Sequence, residues 1–230
     1  MKVKICGITR ESDISLCVDA GADACGFVVQ YPADVPWNLD AEKAASLVRL
    51  IPGGTSTFMV TGGSPDRVVG LARQLRPDFV QLHHEETLAE LCEISGRLKA
   101  LGISTVKALR IDSGGRLNFE IPDIAVAAGA LEKAGADALL IDSFTRARPG
   151  GSGRAVDPGA YMTLIKSTSL PVILAGGLSP DKLNTLVPAK YPPYMLDVLS
   201  GVESSPGIKD KDKVAAFVKA ARALQKEQDI

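Results

Sequence analysis

Apolar residues along this chain fall mostly in short unbroken runs, separated by longer stretches whose apolar positions recur three and four apart. Continuous runs of four to eight residues are expected of parallel strands covered on both faces, and the longer pattern is expected of amphipathic helices. Eight strands are predicted: Val3–Cys6, Ala24–Gln30, Ser56–Val60, Phe79–His83, Ser104–Leu109, Ala136–Asp142, Pro171–Gly176 and Tyr194–Ser200. Between them, "RESDISLCVDAG" reads as a helix with Ser12 as its cap and Gly21 as its stop. "SPDRVVGLARQL" reads as another, with Ser64 capping and Pro65 in the first turn. "DAEKAASLVRLI" and "KDKVAAFVKAARALQKE" carry the same amphipathic spacing.

Eight strand–helix units in 230 residues average roughly 29 each, which predicts an α/β fold with a single (β/α)8 barrel domain over residues 1–230. A doubly wound open sheet is the rival, since periodicity does not distinguish a closed sheet from an open one. One echo favours closure: "AGADA" stands at Ala20–Ala24 and again at Ala134–Ala138, almost half the chain apart, each time before an apolar run. "DSGGRLNFEIPD" reads as a long surface connection after the fifth strand, too short for a domain boundary.

Composition narrows the function. The chain is 46% hydrophobic and 23% charged, with a formal net charge of −1. There is no basic stripe with interleaved aromatics, so a nucleic-acid partner is not expected. Cys6, Cys17, Cys25 and Cys92 show no CxxC spacing and no nearby histidines, which argues against a metal site or a disulfide framework. No apolar run approaches the ~20 residues that span a bilayer. Nor does the start resemble a secretion signal. The expectation is a soluble cytoplasmic protein that acts on a small molecule, as a monomer, with a dimer the alternative.

In a barrel of this type, reactive groups collect at the carboxyl ends of strands. Cys6, His83, Lys107, Arg110, Asp142 and Asp197 all stand at or near predicted strand ends. A thiol near the end of strand one and a carboxyl at the end of strand six would flank a small substrate as a proton-moving pair. Cys6 also has a plainer reading, as a small buried apolar residue. Asp142 likewise has one, as a cap of the following loop. Three late loops are rich in glycine: "PGGSG" (149–153), "AGGLSPDKL" (175–183) and "LSGVESSPG" (199–207). Glycine lets backbone N–H groups approach an anion closely, so these loops point to a phosphate.

These residues resemble one family, the phosphoribosylanthranilate isomerases of tryptophan biosynthesis. The matching segments are "KICGIT" (4–9), "GADACGFV" (21–28), "VQLH" (80–83), "KALR" (107–110), "LLIDS" (139–143), "GGSG" (150–153), "LAGGLSPDKL" (174–183) and "LDVLSGVESSPGIKD" (196–210). The resemblance implies an aldose–ketose Amadori rearrangement of N-(5-phosphoribosyl)anthranilate without a cofactor. It implies Asp142 as general acid and Cys6 as general base. It also implies a phosphate held by Gly151, Ser152, Gly153, Gly176, Gly177, Ser200 and Gly201, with Asp197 toward the anthranilate end. Lys4, which points the same way from its strand as Cys6, joins His83, Arg110, Asp197 and Trp37 as candidate substrate contacts.

The departures concern the aromatic end. The Ser-Pro-Arg segment usual after strand two is replaced by "YPADVPWNL" (31–39), which has no arginine. "VFVN" reads "FMVT", "QLHG" reads "QLHH", the doubled serine before "GVE" reads Leu199-Ser200, and "FDW" reads "VDP". Losing a charged hydrogen bond to a carboxylate costs roughly 1.5–3 kcal/mol, about 10- to 100-fold in affinity. Trp37 could compensate by stacking, and Arg146 or Arg148 by charge. Two alternatives therefore stand beside the isomerase: a paralogue that isomerises another aminated or phosphorylated sugar, and a barrel that only binds one.

Overall fold

A computed structural model of the chain describes residues 1–144 and 154–228, the last four of these by backbone alone. Eight parallel strands close on themselves: β1 Lys2–Ile5, β2 Ala24–Val29, β3 Ser56–Thr61, β4 Phe79–Leu82, β5 Ser104–Ile111, β6 Ala138–Ser143, β7 Val172–Leu174 and β8 Met195–Val198. Each pairs with the next, and β1 pairs with both β2 and β8, so the sheet has no free edge. Helices follow each strand: α1 Glu11–Asp19, α2 Ala41–Val48, α3 Pro65–Leu75, α4 Leu88–Lys99, α5 Ile124–Lys133, α6 Pro158–Ser167, α7 Leu183–Leu186 and α8 Lys211–Gln228. The open-sheet rival is thereby excluded.

Strand alternation sorts the side chains into two sets. Val3, Ile5, Phe27, Met59, Val80, Leu82, Leu139 and Ile141 face the helices and form the larger core. Ala24, Phe58, Val106, Ala108, Ala138, Leu140, Ile173, Ala175 and Met195 fill the barrel interior. There Phe58 and Phe79 stack with ring centres 4.4 Å apart. Because the interior is packed with apolar side chains, the inward residues one step nearer the carboxyl ends are held at the mouth.

The repeated "AGADA" has a structural cause. Gly21 and Gly135 take φ of +86° and +95°, the left-handed turn that ends a helix. The aspartate two residues on reaches across to the neighbouring strand. Asp23 accepts from Val3 N, and Asp137 from Thr105 N, both at 2.7 Å. Asp78 does the same for Thr57 N, after Arg76 in the left-handed conformation. Three even-numbered strands thus tie down the odd strand before them at the amino-terminal face, far from the mouth.

Several local expectations are corrected. Ser12 is not the cap of α1; the helix begins two residues earlier, and Arg10 holds the cap position, its side chain bonding to Asp13 and making no capping bond. Ser64 caps α3 by position only. Where capping bonds form, they come from Asp40, Thr87 in a box with Glu90, Asp123, Asp157 and Asp210. Strand seven stops at Leu174 because Gly176 and Gly177 turn to φ of +84° and +62°. Strand eight ends at Val198, and Ser200–Val202 form a 3-10 turn. Two features were not expected: a short strand Asn38–Leu39 beside β2, and a hairpin pairing Glu203–Ser205 with Ile208–Lys209. No described helix is long and apolar enough to cross a membrane.

Candidate active site

Two inward residues of β1 and its extension, Lys4 and Cys6, begin the site. The Lys4 ammonium, fully buried, lies 2.7 Å from Asp197 Oδ2 on β8, while Asp197 Oδ1 is buried without a partner. Burial works against the Lys4 charge, yet the Asp197 carboxylate and the Cys6 sulfur outweigh it and raise its pKa. Cys6 sits one inward step above. Burial pushes its thiol above the ordinary value; Lys4 opposes the rise, Asp197 adds to it, and Lys209 opposes it.

On the other side of the barrel stands Asp142, an inward residue of β6. Its Oδ1 accepts from Ser143 N at 2.7 Å and its Oδ2 lies 3.3 Å from His83 Nε2. His83 Nδ1 lies 2.9 Å from Gln81 Nε2. The His83 ring thus bridges the Gln81 amide and the Asp142 carboxyl. Gln81 and His83 are both inward positions of β4, two apart, so their contact follows from strand alternation, and Asp142 reaches His83 from β6.

Cys6, Gln81, His83, Asp142 and Asp197 line a single cleft of about 720 Å³, open solvent at its mouth included. Gly176, Gly177, Ser200 and Gly201 line one side of it. Val28, Tyr31, Val35, Trp37, Val60 and Leu199 give it an apolar wall. The glycines are required by close approach between loops. A Cβ on Gly177 would meet the Arg154 backbone at 2.4 Å, and one on Gly201 would meet the Leu178 carbonyl oxygen at 1.9 Å. Neither glycine-rich turn leads at once into a full helix: α7 has four residues, and Ser200–Val202 is a single 3-10 turn. Neither turn therefore presents the N-terminus of a long helix.

Trp37 is buried, and its indole Nε1 donates to Glu203 Oε1 at 2.8 Å. The same oxygen is 2.8 Å from Lys209 Nζ and accepts from Gly207 N at 3.2 Å. The loop after β2 is therefore fastened to the hairpin after β8, and the indole forms a fixed wall above Cys6 and Gly7. Gln81, Glu203 and Lys209 lie in quoted family segments but, like Tyr31, were not singled out as parts of this arrangement. Only the spacing of Gln81 and His83 carried a signal.

Other expected contacts fall elsewhere. Lys4 lies beneath the cleft, and Arg110, although an inward residue at the end of β5, is not among the lining residues. Its guanidinium lies over the Phe144 ring at 4.8 Å, and its Nη2 is 3.5 Å from Glu85 Oε1; neither Nε nor Nη2 makes a hydrogen bond. Lys107 points outward to a buried pair with Glu86 at 2.5 Å, because three residues along a strand reverse the face. Gly151, Ser152 and Gly153, with Arg146 and Arg148, lie outside the described residues. Among the described residues no group of three or more His, Cys, Asp or Glu side chains is placed to hold a metal ion.

Comparison with known proteins shows which family shares this sequence and fold. The family described as N-(5'-phosphoribosyl)anthranilate (PRA) isomerase matches residues 3–220. Among curated relatives, the N-(5'-phosphoribosyl)anthranilate isomerase of Methanopyrus kandleri is 37% identical over 226 residues, covering 97% of this chain and all of that one. Its counterpart from Natronomonas pharaonis is 36% identical over 225 residues, covering 97% and 99%. Among solved structures, the phosphoribosyl anthranilate isomerase of Thermus thermophilus superposes with a TM-score of 0.78 at 29% identity, over 97% of this chain and 100% of that one. A phosphoribosyl anthranilate isomerase in complex with reduced 1-(o-carboxyphenylamino)-1-deoxyribulose 5-phosphate does so with a TM-score of 0.74 at 27% identity, over 97% and 99%.

Proposed function

Because this chain belongs to the N-(5'-phosphoribosyl)anthranilate isomerase family, we propose that its cleft rearranges N-(5-phosphoribosyl)anthranilate to the corresponding carboxyphenylamino-deoxyribulose phosphate. One observation carries the assignment of roles: a thiol from strand one and a carboxyl from strand six line the same cleft, next to glycine-lined turns. The Asp142 carboxyl protonates the furanose ring oxygen, the C1–O bond breaks, and the nitrogen lone pair forms the C1=N bond. The Cys6 thiolate then takes the C2 proton. The C2–H electrons form C1=C2 as the C1=N pair returns to nitrogen, giving an enolamine that tautomerises to the ketose. No electron acceptor enters, because C1 is reduced as C2 is oxidised.

In this reading the amides of Gly176, Gly177, Ser200 and Gly201 hold the phosphate, along with Gly151, Ser152 and Gly153. Trp37, Val28, Tyr31 and Val60 hold the arene. The unpaired Asp197 Oδ1 accepts the substrate N–H. His83 supports Asp142. The alternatives of a different sugar or of binding alone are not favoured, since the identity to relatives runs the length of the chain. We read the protein as a cytoplasmic monomer; a related enzyme, from Thermotoga maritima, is described as dimeric. The test is loss of anthranilate fluorescence when the purified protein meets freshly made substrate, paired with growth of a tryptophan auxotroph lacking this step. No turnover, together with no growth, would refute the assignment.

A further inference from the structure

A thiol whose pKa is raised by burial makes a poor base at neutral pH, so the groups that surround Cys6 matter as much as the sulfur. Lys4 on β1, Asp197 on β8, Lys209 on the hairpin and Cys25 on β2 are the titratable groups that act on it. Of these, Lys4 is fully buried, and its ammonium is fixed at 2.7 Å by Asp197 Oδ2. A second observation concerns β2. A Cβ placed on Gly26 would lie 2.8 Å from Cys6 Sγ, 3.0 Å from Lys4 Cε and 3.1 Å from Lys4 Nζ. Sulfur and ammonium therefore converge on the one spot left vacant by a missing side chain, and stand within about 6 Å of each other. Gly26 has an ordinary φ, so no backbone conformation demands glycine there; the space does.

We propose that Lys4 is a positioning residue for the reaction: held by Asp197 and admitted by the bare backbone of Gly26, its ammonium is the counter-charge of the Cys6 thiolate. This rests on Cys6 being the base. Lys4 does not line the cleft, so it acts through the sulfur and not on substrate. The ion pair with Asp197 keeps the ammonium charged despite its burial, and it also stops Lys4 from migrating toward the phosphate. Asp197 balances Lys4 and Glu203 balances Lys209, so when Cys6 loses its proton the Lys4 ammonium beside it is the positive charge that faces the sulfur.

The test reads the thiol directly. Cys6 alkylation by iodoacetamide is followed against pH by mass spectrometry, with the exposed Cys92 as internal reference. In Lys4→Met the Cys6 inflection moves up by about one pH unit or more, with Cys92 unmoved. Gly26→Ala keeps both charges but forces sulfur and ammonium apart, so it shifts the same inflection in the same direction; it serves if Lys4→Met fails to fold. In both variants kcat falls at least tenfold at neutral pH, while KM stays within about threefold and part of the loss returns at higher pH. An unmoved Cys6 inflection in a folded Lys4→Met or Gly26→Ala protein would overturn the proposal. Were Cys6 not the base at all, Cys6→Ser would turn over normally whatever the alkylation profile, so the two failures are distinguishable.

Discussion

Replacing Gly201 by alanine should dismantle the anion site without touching the reacting groups. The added Cβ would lie 1.9 Å from the Leu178 carbonyl oxygen, 3.0 Å from its carbon and 3.2 Å from Ser179 Cα. All three are backbone atoms, so no rotamer change relieves the overlap. Ordinary contact requires the turn after β8 to move away from the loop after β7 by roughly 1.5 Å. A shift of that size carries an amide–phosphate bond from about 2.9 Å to beyond 3.5 Å, where it no longer counts as one. One or two charge-assisted bonds lost at about 1.5–3 kcal/mol each predict a KM raised roughly 10- to 100-fold or more. The fall in kcat should be smaller, because the phosphate is remote from C1 and C2. Gly129→Ala is the control, since a Cβ there meets nothing within 4 Å. Steady-state fluorescence kinetics and competition by inorganic phosphate measure both effects. A folded Gly201→Ala protein with wild-type KM and wild-type phosphate inhibition would refute the placing of the phosphate.

Further outcomes follow from the same geometry. Asp137→Ala, at the amino-terminal face, should lose about 1–3 kcal/mol in urea unfolding while kcat and KM stay at wild-type values, since it leaves Thr105 N unpaired. Trp37→Phe should cost only about 1 kcal/mol, because Glu203 keeps Lys209, whereas Trp37→Ala should cost about 3–5 kcal/mol and raise KM. For pH, the Cys6 thiol is held above its ordinary value, so the thiolate fraction at neutrality is small and grows tenfold per pH unit. Iodoacetamide alkylation of wild-type Cys6 should therefore speed up with pH from 7 upward; a rate flat across that range would count against a thiol held in its neutral form.

Much of the architecture was legible because strand and helix differ in period. The unbroken runs at 24–29 and 138–143 are buried on both faces, as parallel strands between helices and interior must be. Cys6 and Asp142 were legible for a related reason: polar residues closing apolar strands have nowhere to point but the mouth. Lys107 shows the limit. It sits in the same motif as Arg110, yet an odd separation along a strand places the two on opposite faces, and the motif hid what alternation would have told. The Trp37–Glu203 bond joins residues 166 positions apart, and no local pattern encodes such a contact. Gly26 was equally silent, since a glycine in a strand announces a close approach without saying of what.

The decisive measurement is single-turnover conversion of N-(5-phosphoribosyl)anthranilate by Cys6→Ser and Asp142→Asn proteins, each checked for native circular dichroism. Removing a general acid or base should slow the chemical step roughly 10²–10⁴-fold in both, with product-analogue binding retained. Wild-type rates in either folded variant would contradict the pairing of thiol and carboxyl across the cleft.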